Sequence, residues 1–137
     1  MALAASKVLT AFLDAKGVKY EVDEDGIVKL RQSVENSNST LIMLIVFDDD
    51  NHVRIEGGGF ASIPQDKING MYKVVNQLND DYRWVKFVVN EAGEDIRVRV
   101  DTVVSLDTCA DEIFELCLRM TAIVDKAYPV IMKGLWA

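Results

Sequence analysis

Apolar positions along the chain change period several times, and each change marks an element. Leu3, Val8, Leu9, Phe12 and Leu13 recur at three- and four-residue spacings up to Gly17, which predicts a short amphipathic helix over residues 3–16 with a glycine stop. From Val18 the period becomes two. Val18, Tyr20 and Val22 alternate with Lys19, Glu21 and Asp23, and Asp25-Gly26 turns the chain back into Ile27, Val28 and Leu30, which reads as a hairpin. The polar run Glu35–Thr40 reads as a loop, and its Asn38-Ser-Thr40 sequon is expected to be unused.

Leu41 to Phe47 is continuously apolar and ends in Asp48-Asp-Asp-Asn51, so it predicts a central strand covered on both faces or placed at a dimer contact. Val53–Glu56 pairs back on it. After Gly57-Gly-Gly59, Pro64 opens a second helix with the stripe Ile68, Met71, Tyr72, Val75 and Leu78, ended by Asn79-Asp-Asp81. Tyr82–Val89 and Asp95–Val103 form another hairpin, and Ile96, Val98 and Val100 alternate with Arg97, Arg99 and Asp101, so one face of that strand should be wet. The longest helix follows Thr108 and runs to about Lys133-Gly134. The fold class is α+β: an antiparallel sheet with three helices in the order α-β-β-β-β-α-β-β-α.

A chain of 137 residues, 50% hydrophobic with 2 prolines, fits a single domain over 1–137 that needs neither metal nor disulfides to fold. The net charge of −7, with scattered lysines and arginines, argues against a nucleic-acid partner. The first residues lack the basic region that should precede a signal peptide's apolar core, acidic Asp14 follows soon after, and no apolar run approaches the roughly twenty residues that span a bilayer, so a cytoplasmic protein is expected. Cys109 and Cys117 stand about 12 Å apart along one helix and are expected to be buried, reduced thiols.

Catalytic chemistry is hard to assemble from this sequence. A serine or cysteine nucleophile needs a neighbouring base, and the single histidine, His52, follows an acidic turn at the start of a strand, where a solvated role is expected. The Asp48–His52 turn lacks an EF-hand's sixth-position glycine, because Val53 stands there. Gly57-Gly-Gly59 has neither phosphate-loop ending. Paired carboxylates at Asp23–Asp25, Asp80-Asp81 and Glu91–Asp95 fall on turns and read as solubilising charge. Trp84, beside Tyr82 and Arg83, suits base stacking or peptide binding in principle but is expected in the core. No cofactor or metal is expected. The alternative is a small-ligand sensor or enzyme in which His52 and Gly57–Gly59 converge on one pocket.

The last helix carries more apolar arc than one sheet requires. Ile113, Leu116, Cys117, Met120, Val124, Ala127 and Ile131 make its main stripe, and Phe114 and Leu118 widen it. This surplus suggests a homodimer and a binding module for a protein or peptide partner, with Phe114 and Leu118 as first contact candidates and Val46 and Phe47 as second.

The stretch Ile63-Pro64 to Asn79, including Met71-Tyr-Lys-Val-Val75-Asn76, then Arg83-Trp84-Val-Lys86-Phe87, Val88-Val-Asn90, Gly93, Arg97-Val-Arg-Val100 and Ala122 with Tyr128-Pro129, resembles the YbjN-like family of bacterial sensory transduction regulators. The resemblance is fullest over residues 60–130. The Gly57-Gly-Gly59 run and the loop at 31–40 depart from the pattern. What the resemblance implies is a fold similar to class I type III secretion chaperones, non-enzymatic, often dimeric and suited to extended protein segments, with no catalytic residues to carry over. Asn76 and Asn79 match the family pattern, and helix C-terminal capping and turn formation are the expected roles.

Overall fold

The first helix, α1 (Ala4–Lys16), starts after Leu3, which has no capping side chain. The cap comes from elsewhere in the chain: the Ala5 N–H donates to Asp50 Oδ1 at 3.0 Å, bringing a carboxylate to the positive end of the helix. Gly17, at φ 70°, closes the other end. This computed structural model describes residues 3–136.

Six strands and two more helices follow: β1 (Glu21–Val22), β2 (Val28–Val34), β3 (Ser39–Asp49), β4 (His52–Gly58), α2 (Ile68–Asp81), β5 (Lys86–Asn90), β6 (Asp95–Val103) and α3 (Cys109–Leu135). They form one sheet in the order β1-β2-β3-β4-β6-β5, with every neighbouring pair antiparallel. Class and element order are those expected. The boundaries shift where polar residues join strands. Val34 pairs with Ser39, so the expected 35–40 loop shrinks to a single 3-10 turn over Glu35–Ser37. β1 keeps only two residues, and β5 begins at Lys86 rather than Tyr82.

All three helices lie on one face of the sheet. On β3, Leu41, Met43 and Ile45 point into the core and are buried, whereas Ile42, Leu44 and Val46 between them remain half-exposed. The continuous apolar run is therefore covered on one face only within the chain, which removes the first of its two expected explanations. α3 lies over the middle of the sheet, with Met120, Val124, Ala127 and Ile131 fully buried. It approaches closely because β4 has no side chain at Gly57, where a Cβ would stand 2.8 Å from Val98 Cγ2 and 3.0 Å from Met120 Sδ. Gly134 allows the same approach to α2, its would-be Cβ lying 2.7 Å from Val74 Cγ2.

Two family-pattern residues acquire structural roles. Pro129 sits inside α3 and has no N–H, which frees the carbonyl of Asp125 one turn earlier. Asn36, in the turn between β2 and β3, occupies it: its Nδ2 donates to Asp125 O at 2.8 Å, and its backbone N–H donates to Asp125 Oδ1 at 2.8 Å. Asn79 does not cap α2 as expected. Its Oδ1 accepts from the Phe87 N–H at 2.6 Å and its Nδ2 donates to the Phe87 carbonyl at 3.1 Å, so it pairs with the outer edge of β5 as a strand would.

Candidate protein-binding surfaces

The uncovered face of the sheet is built by the alternate residues of the same strands that form the core. Ile42, Leu44 and Val46 form an apolar ridge along its centre. Lys29 and Arg31 flank the ridge on β2, with Arg54 and Glu56 on β4 and Arg99 and Asp101 beyond them on β6. Glu56 lies between two guanidinium groups, 3.4 Å from Arg54 Nε and 3.9 Å from Arg99 Nε. Asp48 stands 3.8 Å from Arg54, and Asp101 3.3 Å from Arg99. Both Nε atoms are shut off from solvent with no hydrogen-bond partner among the described residues.

The four expected contact residues are distributed over two surfaces. Val46 belongs to the open face. Phe47 is half-buried against the core beside it. Phe114 turns toward α1, where its ring meets Phe12 edge to face at 5.7 Å between centroids, and Lys16 Nζ lies over both rings at 5.0 and 5.6 Å. The surplus arc of α3 is thus partly used inside the chain. Leu118, one turn on, is 49% exposed beside a slot bounded by Val18, Gln32 and Phe114.

The residues of the small-ligand alternative do not converge. His52 opens β4, and its Nδ1 is 2.8 Å from Asp49 Oδ1; this bond holds the Asp49 carboxyl below its ordinary range. Gly57–Gly59 stand at the other end of the strand, about 16 Å away at 3.3 Å per residue. They border a cavity of about 240 Å³ that His52 does not line. The acidic turn is structural: Asp49 accepts from the Asn51 N–H at 2.7 Å while Asp50 caps α1. Both cysteines are buried, and burial pushes the Cys117 thiol up to about 12. Among the described residues, no three His, Cys, Asp or Glu side chains are placed to hold a metal ion.

Trp84 departs from expectation. It is 59% exposed rather than buried, with φ 72°, at the centre of a tight turn closed by the Val85 N–H donating to Arg83 O at 2.8 Å. A bulky residue at positive φ is strained, and this turn is what ends β5 at Lys86. The hydrophobicity of tryptophan suggested core; its backbone conformation, invisible in composition, keeps it outside. Its ring instead faces Arg119 of α3, whose guanidinium lies 5.9 Å from the ring centroid.

The sequence matches the family YbjN, described as "Putative bacterial sensory transduction regulator", over residues 5–131. The chain belongs to the YbjN family. Among solved structures it is similar to the crystal structure of the ExsC-ExsE complex, at 14% sequence identity and a TM-score of 0.55, with 92% of this chain and 96% of that one covered. The YbjN chain therefore has the type III secretion chaperone-like fold that the family resemblance implied. No curated protein matches it. Among the described residues, no helix of this YbjN protein is long and apolar enough to cross a membrane.

Proposed function

We propose that this YbjN chain is a non-enzymatic, cytoplasmic protein-binding module with a regulatory or chaperone-like role, acting as a homodimer. The observation that carries the reading is the open sheet face. An apolar ridge on the central strand, with no helix over it, is the kind of surface that a second protein covers. The family description and the likeness to one component of a two-protein complex support the same class of activity.

The open face suits a second copy. The chain carries −7 overall, so two copies brought together through most of their surfaces repel. On the open face Lys29, Arg31, Arg54, Lys86, Arg97 and Arg99 alternate with Glu21, Asp48, Glu56, Asp95 and Asp101, so the charges nearly cancel. A mixed, self-complementary face with an apolar centre fits a twofold contact, in which the same patch serves both partners. Val46 lies on that ridge, and Phe47 borders it. Leu118, with the edge of Phe114, supplies a separate apolar surface on α3.

Light scattering on an eluting size-exclusion peak, over a range of protein concentrations, tests the reading. The wild-type chain is expected at twice the monomer mass. Leu44→Glu is expected to give a folded monomer, while Leu118→Glu retains the dimer. A dimer abolished by Leu118→Glu but not by Leu44→Glu moves the contact to α3. A wild-type monomer at every concentration refutes the homodimer.

A further inference from the structure

A groove runs along the last part of β6 on the helix side of the sheet. β5 pairs with β6 only between Asp95 and Arg99, so Val100–Val103 have β4 on one side and, among the described residues, no strand on the other. α3 overhangs this unpaired stretch, and Trp84 stands where β5 stops. The groove is open to solvent and has a volume of about 460 Å³, enough for a side chain or two of a partner.

The lining has a definite chemistry. Val100 and Leu116 make an apolar floor, and Glu112 and Glu115 supply carboxylates; Asp101 borders the groove with its main chain only, its side chain being turned to the open face beside Arg99. Arg119 is the cation of the lining, and it is already engaged: its Nη2 is 2.9 Å from Glu115 Oε1, and its guanidinium lies over the indole. That contact shows that the Trp84 face accepts a guanidinium in this setting. With two carboxylates to one cation, the lining disfavours phosphate-bearing ligands and a second copy of this acidic chain. It complements a basic segment.

Building on the protein-binding reading above, we propose that this groove captures an extended segment of a partner protein carrying lysine or arginine. The segment's main chain continues the line of β5 along Val100–Val103 and bonds to the vacant edge. Its basic side chain lies against Trp84 and is held by Glu112, sharing Glu115 with Arg119. The strain at Trp84 then has a purpose: the tight turn stops β5 early, which leaves the edge open, and turns the indole toward the groove.

The probe is a fluorescein-labelled synthetic octapeptide of alternating lysine and valine, compared by anisotropy with one of alternating glutamate and valine. The lysine peptide is expected to bind and the glutamate peptide not, with amide shifts in nuclear magnetic resonance concentrated at Val100–Val103. Trp84→Ala is expected to weaken binding about tenfold, with Trp84→Phe keeping most of the affinity. Trp84→Gly separates binding from folding: relief of the backbone strain raises the unfolding midpoint while binding falls. Unchanged affinity in Trp84→Ala, shifts spread over the whole acidic surface, or no binding of the lysine peptide overturns the inference. Light scattering on the same samples keeps the two readings apart. A dimer that ignores the peptide removes the groove and leaves the dimer standing; a monomer that binds it does the reverse.

Discussion

The two faces of the sheet are made by alternate residues of the same strands, and they differ in almost every physical respect. On β3, Met43 and Ile45 are enclosed by helices, while Leu44 between them meets the ion-paired array around Glu56. On β4, Gly57 is crowded by Met120 and Val98, while Gly58, one residue on, has its nearest foreign atom 3.9 Å from where a Cβ would be. Backbone conformation, sequence neighbourhood and strand pairing are shared, so the contrast isolates what the helix layer does. One face is specified by packing inside the chain; the other is left for an encounter outside it.

The largest expected effect tests that contrast directly. Ile45→Ala removes fully buried methyl and methylene groups from the centre of the core and should cost about 3 kcal/mol in chemical denaturation. Leu44→Ala, the adjacent residue, should cost less than about 1 kcal/mol when measured at a concentration where the chain is monomeric. Equal losses would mean that Leu44 is as enclosed as Ile45 within the monomer, and the distinction between the faces would fail.

A second pair adds volume instead of removing it. Gly57→Ala forces a methyl group against Val98, Leu41 and Met120, at 2.8 to 3.0 Å, and overpacking of this kind costs about 1–3 kcal/mol. Gly58→Ala makes only an ordinary contact with Arg97 Cγ at 3.9 Å and reduces the freedom of the unfolded chain, so stability should hold or rise by up to about 1 kcal/mol. Thermal melts of the two variants should therefore move in opposite directions. A loss at Gly58 as large as that at Gly57 would show that something already rests on the open face.

How much of this is legible in the sequence depends on which interaction sets each feature. Periodicity is local, and it placed the three helices, the order of the strands and the wet face of β6. Features set by distant partners were not local. The Asp50 carboxylate that starts α1 lies 45 positions from Ala5, and Asn36 reaches Asp125 across 89 positions, so neither link has a pattern to read. The ends of β2 and β3 looked like loop because Ser33, Ser39 and Thr40 carry no hydrophobic signal, although their backbones pair regularly. Of the contact candidates, Val46 fell on the open face because any alternate residue of an uncovered central strand must. Phe114 was drawn toward α1 by Phe12, a pairing that helical projection of α3 alone does not contain. Trp84 failed for a different reason: its conformation is imposed by a three-residue turn, and hydrophobicity carries no information about φ.

The smallest effect sharpens the comparison most, because it asks what the charges on the open face are for. Glu56 separates Arg54 from Arg99, and all three side chains are partly solvated. Exposed pairs of this kind contribute at most about 1 kcal/mol to folding. Glu56→Gln should therefore leave the unfolding midpoint of the monomer nearly unchanged, and added salt should move it little. The same substitution leaves two guanidinium groups side by side without their shared carboxylate, on a face proposed to meet its own copy. Each copy then presents excess positive charge to the other, so the dimer dissociation constant should rise, and rise less at high salt where the repulsion is screened. Sedimentation at two ionic strengths reads both quantities. If Glu56→Gln destabilises the monomer as much as a core substitution, the charges are part of the fold. If it changes assembly alone, they belong to the encounter.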